Sequence, residues 1–301
     1  MRLNFEDIMP GHKEAVEKHI QQWELENSEY TFTNLLMWGR QENIQLAFEN
    51  NTLFIQLTYG GKPPIMLAPL TEKPERGYHA AVEAAASHLR EQGIEPVFSG
   101  ICGKLKTAFE KECPDYRLTQ DRDNHDYIYN ASDLINLKGK KFHGKRNHLN
   151  QFRAANPGFE YVQVNSDMVD ECMNVYEQWV RHKEASQPGV LGERRAILTV
   201  LKHMDYLGVK GGGIRIDGQL AAFSLGQPIN ERMAVIHIEK ALAGIPGLYA
   251  AINQQFVEHE WSQMELINRE EDMGLEGLRR AKLSYHPVML LEKFEARKAG
   301  E

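Results

Sequence analysis

Gly213-Ile214-Arg215-Ile216-Asp217-Gly218-Gln219-Leu220-Ala221-Ala222-Phe223-Ser224-Leu225, then Ala234-Val235-Ile236-His237-Ile238-Glu239-Lys240, then Ala241-Leu242-Ala243-Gly244-Ile245-Pro246-Gly247-Leu248: this stretch decides the fold class. The first two apolar runs flank Asp217-Gly218, a dipeptide that readily takes two consecutive positive φ values, so they read as a hairpin. The next run is apolar and β-branched, as a strand should be. A glycine- and proline-bearing loop then leads into a helix predicted over residues 248–261. Alternation along the strand puts Val235, His237 and Glu239 on one face and Ile236, Ile238 and Lys240 on the other. A histidine and a glutamate are expensive to bury without partners, so they either line a cleft or pair with basic neighbours.

Outward from this stretch the pattern stays mixed. Toward the C-terminus, residues 265–268 read as a strand, 275–283 as a helix and 288–294 as a last strand or extended arm. Toward the N-terminus, 168–181 and 193–207 read as helices and 161–164 as a strand. Gly211-Gly212-Gly213 reads as a flexible start to the strand that follows. Further back lies a helix over 141–155, stopped by Asn156-Pro157-Gly158. Phe142, Leu149 and Phe152 fall on one side of it and Lys141, Lys145 and His148 on another. The first part of the chain alternates likewise: helices over 12–23, 31–40, 78–92 and 104–111; a hairpin of 44–48 and 52–58 about Glu49-Asn50-Asn51; strands at 65–70, 96–99 and 127–129. At 301 residues two domains are expected, 1–130 and 131–301, with the junction near 131–139. The fold class is α/β of mixed α+β character, each half a mixed sheet flanked by helices.

Charge narrows the function. The formal net charge is −7, which argues against general binding to polyanions. Residues 134–159 nevertheless contain no acid, while Lys138, Lys140, Lys141, Lys145, Arg146 and Arg153 cluster there. That is either a solvated helix face or a place for an anionic ligand. No apolar run approaches the length of a membrane span, residues 1–10 lack the apolar core of a secretion signal, and three cysteines without metal or redox spacing suit a reducing cytosol. The expectation is a cytoplasmic protein with no membrane insertion and no metal site.

Walker A, dinucleotide-binding, HExxH and nucleophile-elbow patterns are absent. The strand–glycine loop–helix unit offers another way to hold an anion. Gly244 and Gly247 let backbone N–H groups approach closely, and the helix N-terminus at Leu248 and Tyr249 adds unpaired donors and a positive dipole end. An ordinary strand-to-helix loop is the alternative. The third constellation is Asn268-Arg269-Glu270-Glu271-Asp272-Met273-Gly274-Leu275-Glu276-Gly277-Leu278-Arg279-Arg280-Ala281-Lys282-Leu283-Ser284-Tyr285-His286-Pro287. Asp272 is placed to cap the following helix, and Arg279 and Lys282 share a helical face. Their charges need either local carboxylates or an anionic ligand, and the ligand is the expectation.

Tyr30-Thr31-Phe32-Thr33-Asn34-Leu35-Leu36-Met37-Trp38, Lys145-Arg146-Asn147-His148, Ile245-Pro246-Gly247-Leu248-Tyr249 and the stretch 268–287 together resemble a bacterial family of unknown function, related to the C-terminal domain of phosphatidylglycerol lysyltransferases. The resemblance covers nearly the whole chain. It implies a tandem pair of GNAT-like acyltransferase domains, akin to the Fem-type transferases that use aminoacyl-tRNA. The usual acetyl-CoA loop pattern is not met; the chain offers Ala241-x-x-Gly244-x-x-Gly247. The lysyltransferases also carry a membrane-spanning part with no counterpart in these residues, which directs the expectation to a soluble acceptor.

The implied activity is transfer of an acyl or aminoacyl group from CoA or aminoacyl-tRNA to a soluble amine or hydroxyl; the alternative is a non-catalytic ligand-binding or regulatory protein on the same fold. No tightly bound cofactor is expected. Acyl-CoA or aminoacyl-tRNA is the co-substrate, a small molecule the acceptor and tRNA a candidate partner; the oligomeric state is left open. Glu239 or His237 is the candidate base and Tyr285 the candidate leaving-group acid. Gly244, Gly247, Leu248, Tyr249, Lys145 and Arg146 are candidates for holding phosphate. Asn268, Asp272, Arg279 and Lys282 are candidates for holding substrate. Convergence of His237, Glu239 and Tyr285 on the glycine loop would favour an enzyme.

Overall fold

A computed structural model describes residues 3–73, 77–182 and 190–300. The chain forms two compact units. One runs to Asp126 and resumes at Leu291; the other is Tyr127–Leu290. The boundary expected between 130 and 131 thus falls at 126/127, and residues from Leu291 onward, expected with the second half, belong with the first.

The first unit's sheet has eight strands among the described residues. Their order is Glu6–Asp7, Gln45–Glu49, Thr52–Leu57, Ile65–Leu67, Phe98–Ile101, Phe294–Lys298 and Tyr116–Gln120, with Leu70–Thr71 beside Thr52–Leu57. The hairpin turns at Asn50 and Asn51, whose φ values are 49° and 55°, and Glu49 pairs with Thr52. Two positive φ values in a two-residue loop match the twist of the flanking strands. The expected strand at 288–294 is two: Met289–Leu291 in the second sheet and Phe294–Lys298 in the first. Lys293, which lies between these two strands in sequence and is buried, reaches Asp126 at 2.7 Å and Glu29 at 2.6 Å, so its charge is matched inside the first unit.

The second unit's sheet has seven strands among the described residues, in the order Met289–Leu291, Asp126–Asn130, Leu266–Asn268, Met233–Ala241, Gln219–Pro228, Lys210–Ile216 and Glu160–Val164. The Asp217-Gly218 hairpin forms as expected, with φ values of 50° and 79°. The three glycines 211–213 are not a flexible start. They lie inside Lys210–Ile216, paired on both sides. A Cβ on Gly212 would sit 2.1 Å from the Tyr161 hydroxyl and 2.7 Å from Phe256, so the missing side chains are what lets these neighbours pack.

Helix Leu248–Glu260 covers one face of this sheet and helix His143–Ala155 packs on that helix. Phe142, Leu149 and Phe152 are buried in the same core as Ile252, Phe256 and Trp261, as the apolar side of the basic helix predicted. Burying such side chains contributes about 1.5–3 kcal/mol each, which seats the basic helix firmly.

Candidate active site

Strand Met233–Ala241 changes character at His237, on both edges. On one edge Leu225 pairs with Ile238 and Gly226 with Ile236, which leaves His237 as the extra residue of a β-bulge. On the other edge the parallel pairing with Leu266–Asn268 ends at Val235 and Asn268. Beyond that point no ladder bond joins the two strands, and they open. The bulge also resets the alternation. Ala234 and Ile236 lie in the helix-side core, and after the bulge so does Ala241, while Glu239 reaches Asn253 of the covering helix. The single face expected for Val235, His237 and Glu239 is therefore interrupted at His237. Lys240, on the other face, meets Glu193 at 2.6 Å and lies 3.8 Å from the Trp179 ring.

Side chains bridge the opening. Arg269 donates to Glu239 at 2.9 Å, and Asn253 donates to the other carboxylate oxygen at 3.1 Å. The guanidinium lies 4.9 Å from the Tyr285 ring and 5.7 Å from that of Tyr129. The Lys145 ammonium, from the basic helix, sits 3.9 Å from the centre of the same Tyr285 ring. Deeper in, Glu270 holds His237 Nδ1 at 2.8 Å. Glu270 adopts φ +56°, a left-handed conformation that its N–H bond to Asn268 Oδ1 at 2.7 Å helps hold. Three buried atoms of this group have no hydrogen-bond partner among the described residues: His237 Nε2, Asn253 Oδ1 and Arg269 Nη1. Buried polar atoms are nearly always satisfied, so such a group calls for water or a ligand.

Electrostatics follow from the geometry. Burial, together with Arg269, pushes the Lys145 ammonium down to about 8, with Glu239 opposing. Burial pushes the Tyr285 phenol up to about 12; Arg269 opposes and Glu239 adds to it. Tyr285 is therefore a protonated phenol at neutral pH, and Lys145 is a lysine part of which is neutral just above it.

The other expected residues divide clearly. Asp272 does not cap the helix Glu276–Leu283, whose N-cap is Leu275. It is fully buried and accepts from Gly274 N–H at 2.9 Å, from Tyr127, and from Arg279 at 2.8 and 2.9 Å. Lys282 donates to the carbonyls of Arg269, at 2.6 Å, and Glu271. Asn268 turns Glu270, as above. These four brace the segment that carries Arg269 and Glu270. Arg146 likewise donates to the carbonyls of Leu137 and Gly139.

In the glycine loop Gly244 has φ +87° with open space beside it. Gly247 has φ +79°, and a Cβ there would lie 2.1 Å from the His148 carbonyl oxygen. The Leu248 N–H is used by Ile245 at 3.3 Å. Tyr249 is exposed and touches Trp179 and the Ala241 backbone.

Sequence reasoning passed over Arg269, Asn253 and Glu270 as site residues. A signal existed for Asn253. It stands in Asn253-Gln254-Gln255, three amides buried in a helix whose other buried positions, apart from Glu260 at its end, are apolar.

Among the described residues the first unit also has a parallel pair, Ile65–Leu67 with Phe98–Ile101. Tyr30, buried against Gly100, donates to the Ala68 carbonyl at 3.0 Å, and Asn27 donates to the Gly100 carbonyl at 3.3 Å. In the second unit the end of the parallel pairing lies beside His237 Nε2, Asn253 Oδ1 and Arg269 Nη1, all buried and without a partner among the described residues.

Comparison with known proteins agrees with this architecture. Residues 21–297 match the family described as phosphatidylglycerol lysyltransferase, C-terminal. A conserved protein of unknown function from Bacteroides thetaiotaomicron is 34% identical, with a TM-score of 0.89 over 98% of this chain and 99% of that one. L-PGS from Bacillus licheniformis has a TM-score of 0.65 at 15% identity, over 96% and 92% of the two chains. FemX has a TM-score of 0.61 at 6% identity, covering 97% of each, and so shares the fold. An uncharacterized protein of Mycoplasmoides gallisepticum is 21% identical over 174 residues; the match spans 56% of this chain and 54% of that protein, about half its length. No helix among the described residues is long and apolar enough to cross a membrane. Two mixed sheets flanked by helices, a fold shared with a tandem GNAT protein at a TM-score of 0.52 and 10% identity, bear out the expected fold, and the chain belongs to the phosphatidylglycerol lysyltransferase C-terminal family.

Proposed function

We propose that this chain is a cytoplasmic transferase that moves an acyl or aminoacyl group from CoA or aminoacyl-tRNA to the amine or hydroxyl of a soluble acceptor. The family description supports the reaction type, and its lysyl group makes lysyl-tRNA the first donor to test. The observation that carries the reading is the His237–Glu270 pair beside the Glu239–Arg269 pair where the parallel strands open.

His237 suits the base better than Glu239 does. One ring nitrogen is fixed by a carboxylate and the other has no partner, an arrangement that orients an imidazole to take a proton. Glu239 already receives two donors and serves to position Arg269 and Asn253. The acceptor attacks the donor carbonyl and its proton passes to His237 through a bridging water. Tyr285 stays protonated at neutral pH and supplies the proton to the departing thiolate or ribose oxygen.

The test supplies purified protein with lysyl-tRNA, other aminoacyl-tRNAs or acyl-CoA in turn, plus pooled small amines and alcohols, and follows donor loss and product mass. His237→Gln is expected to cut transfer about a hundredfold or more with little change in melting temperature. An undiminished rate in that variant would remove His237 from the chemistry. Saturable donor binding without turnover in the unaltered protein would replace this reading with the ligand-binding one.

A further inference from the structure

The opened strands carry two half-sites of opposite sign. On one side stand Arg269 Nη1, buried without a partner, and the Lys145 ammonium. On the other stand the Glu239 carboxylate and Asn253 Oδ1, the latter also buried without a partner. Arg269 and Asn253 grip the two oxygens of one carboxylate, so their remaining atoms flank the same group. Lys145 belongs to the same cluster, because its ammonium and the Arg269 guanidinium lie 3.9 and 4.9 Å from the centre of the same Tyr285 ring.

Two cations, Arg269 and Lys145, face the Glu239 carboxylate here, while the second carboxylate, Glu270, is held on His237. A partly buried excess cation calls for an anion. A doubly charged phosphate would be repelled by Glu239, which lies 2.9 Å from the same guanidinium. A single carboxylate joined to an amine meets both halves at once.

We propose that the acceptor is a small zwitterion, a free α-amino acid or a close analogue, with its carboxylate on Arg269 Nη1 and Lys145 and its amine on Glu239 and Asn253 Oδ1. The assignment of this ligand as acceptor rests on the transfer reading above. A donor aminoacyl group has its carboxylate tied up in an ester and cannot fill the cationic half. In the reaction the acceptor ammonium loses one proton to His237, and its nitrogen bonds to the donor carbonyl carbon. The C–S or C–O bond breaks, Tyr285 gives its proton to the leaving sulfur or oxygen, and the nitrogen's second proton restores the Tyr285 phenol. The product is an N-acyl amino acid that keeps its carboxylate.

The experiment measures binding by calorimetry and ligand-observed NMR with L-alanine, L-lysine and L-glutamate, each beside its amide and its N-acetyl derivative. Removing either charge is expected to weaken binding about tenfold or more, the size of one charge-assisted hydrogen bond. Lys145→Met keeps an apolar stem over Tyr285. It should leave the melting temperature unchanged and bring acid and amide to similar affinity. In the unaltered protein, saturating L-alanine should raise the Lys145 titration midpoint above its starting value near 8, read from the side-chain carbon shifts. The proposal is overturned if amides bind as tightly as acids, if none of the amino acids saturates, or if inorganic phosphate binds more tightly and displaces L-alanine. Equal transfer rates to L-alanine and alaninamide would also overturn it while leaving the transfer reading intact. Tight L-alanine binding without turnover from any donor supports the site and sinks only the transfer reading.

Discussion

Arg279→Ala is expected to cost about 1–3 kcal/mol of stability, the size of leaving a buried polar group without its partner, because Asp272 is buried while Arg279 is partly exposed. The sequence leaves two fates for Arg279, a local carboxylate or an anionic ligand, and the structure gives it the carboxylate. Asp272 has no exposed side-chain surface and receives both the Nε and one terminal nitrogen of the guanidinium. Without Arg279 it keeps the Tyr127 hydroxyl and the Gly274 N–H, but its charge stays buried and uncompensated. Asp272→Asn preserves the shape and most acceptor geometry, so it should cost less. Urea unfolding of the three proteins decides the order; a melting temperature for Arg279→Ala within error of the unaltered protein would reject this account.

The same pair sets a pH dependence. Burial alone would raise the Asp272 carboxyl, but the bonds from Arg279, Tyr127 and Gly274 outweigh it and hold the group below the usual aspartate range. A carboxyl lowered in the folded state contributes stability that is present above its unfolded value and is lost as pH falls through its folded value. In the unaltered protein that loss therefore comes only in strong acid. In Arg279→Ala the burial effect is less opposed, and the carboxyl takes up its proton at a higher pH. The gap in stability between the two proteins should therefore narrow from neutral pH to about pH 4. A gap that widens toward acid would mean that Asp272 is not the group left behind.

What could be read in advance was local. Asn50-Asn51 and Asp217-Gly218 announce their hairpins because few residues accept consecutive positive φ values, and both turns form. The apolar side of the basic helix, Phe142, Leu149 and Phe152, is legible because packing repeats with the helix period. What escaped was non-local. Phe294–Lys298 pairs with Tyr116–Gln120 far back in the chain, which no local pattern specifies. Gly211-Gly212-Gly213 looks like freedom until Tyr161, Phe256 and Leu220 are seen pressed against it. The bulge at His237 breaks an alternation that the sequence displays without interruption, because it arises from register with Leu225 and Gly226. Arg269 was hidden for the same reason. Its importance comes from where two parallel strands part, and parting is a property of pairing.

Gly247→Ala is expected to be the most damaging small change in the site, costing roughly 3 kcal/mol from two sources. A left-handed conformation costs an L-residue about 1–2 kcal/mol. Crowding adds about 1–3 kcal/mol when a packed interface must shift. Here the crowding is severe. The new methyl would lie 2.1 Å from the His148 carbonyl oxygen, 2.9 Å from its carbon and 3.0 Å from Phe152 Cβ, and two of those three atoms are backbone. No rotamer change relieves it, so the loop and helix His143–Ala155 must separate. Gly244→Ala is the control. Its φ of +87° carries the same backbone strain, but nothing lies within 4 Å of the added methyl, so about 1–2 kcal/mol is the whole effect. The separation has a second readout. The basic helix carries Lys145, whose depressed titration near 8 depends on burial and on Arg269. If Gly247→Ala lifts the helix away, Lys145 loses both influences and its midpoint should climb toward that of an ordinary lysine, while in Gly244→Ala it should stay where it is. Side-chain NMR of Lys145 in the two variants tests this directly. A Lys145 midpoint that does not move in Gly247→Ala would show that the fit of the glycine loop against the basic helix does not hold the lysine in the site.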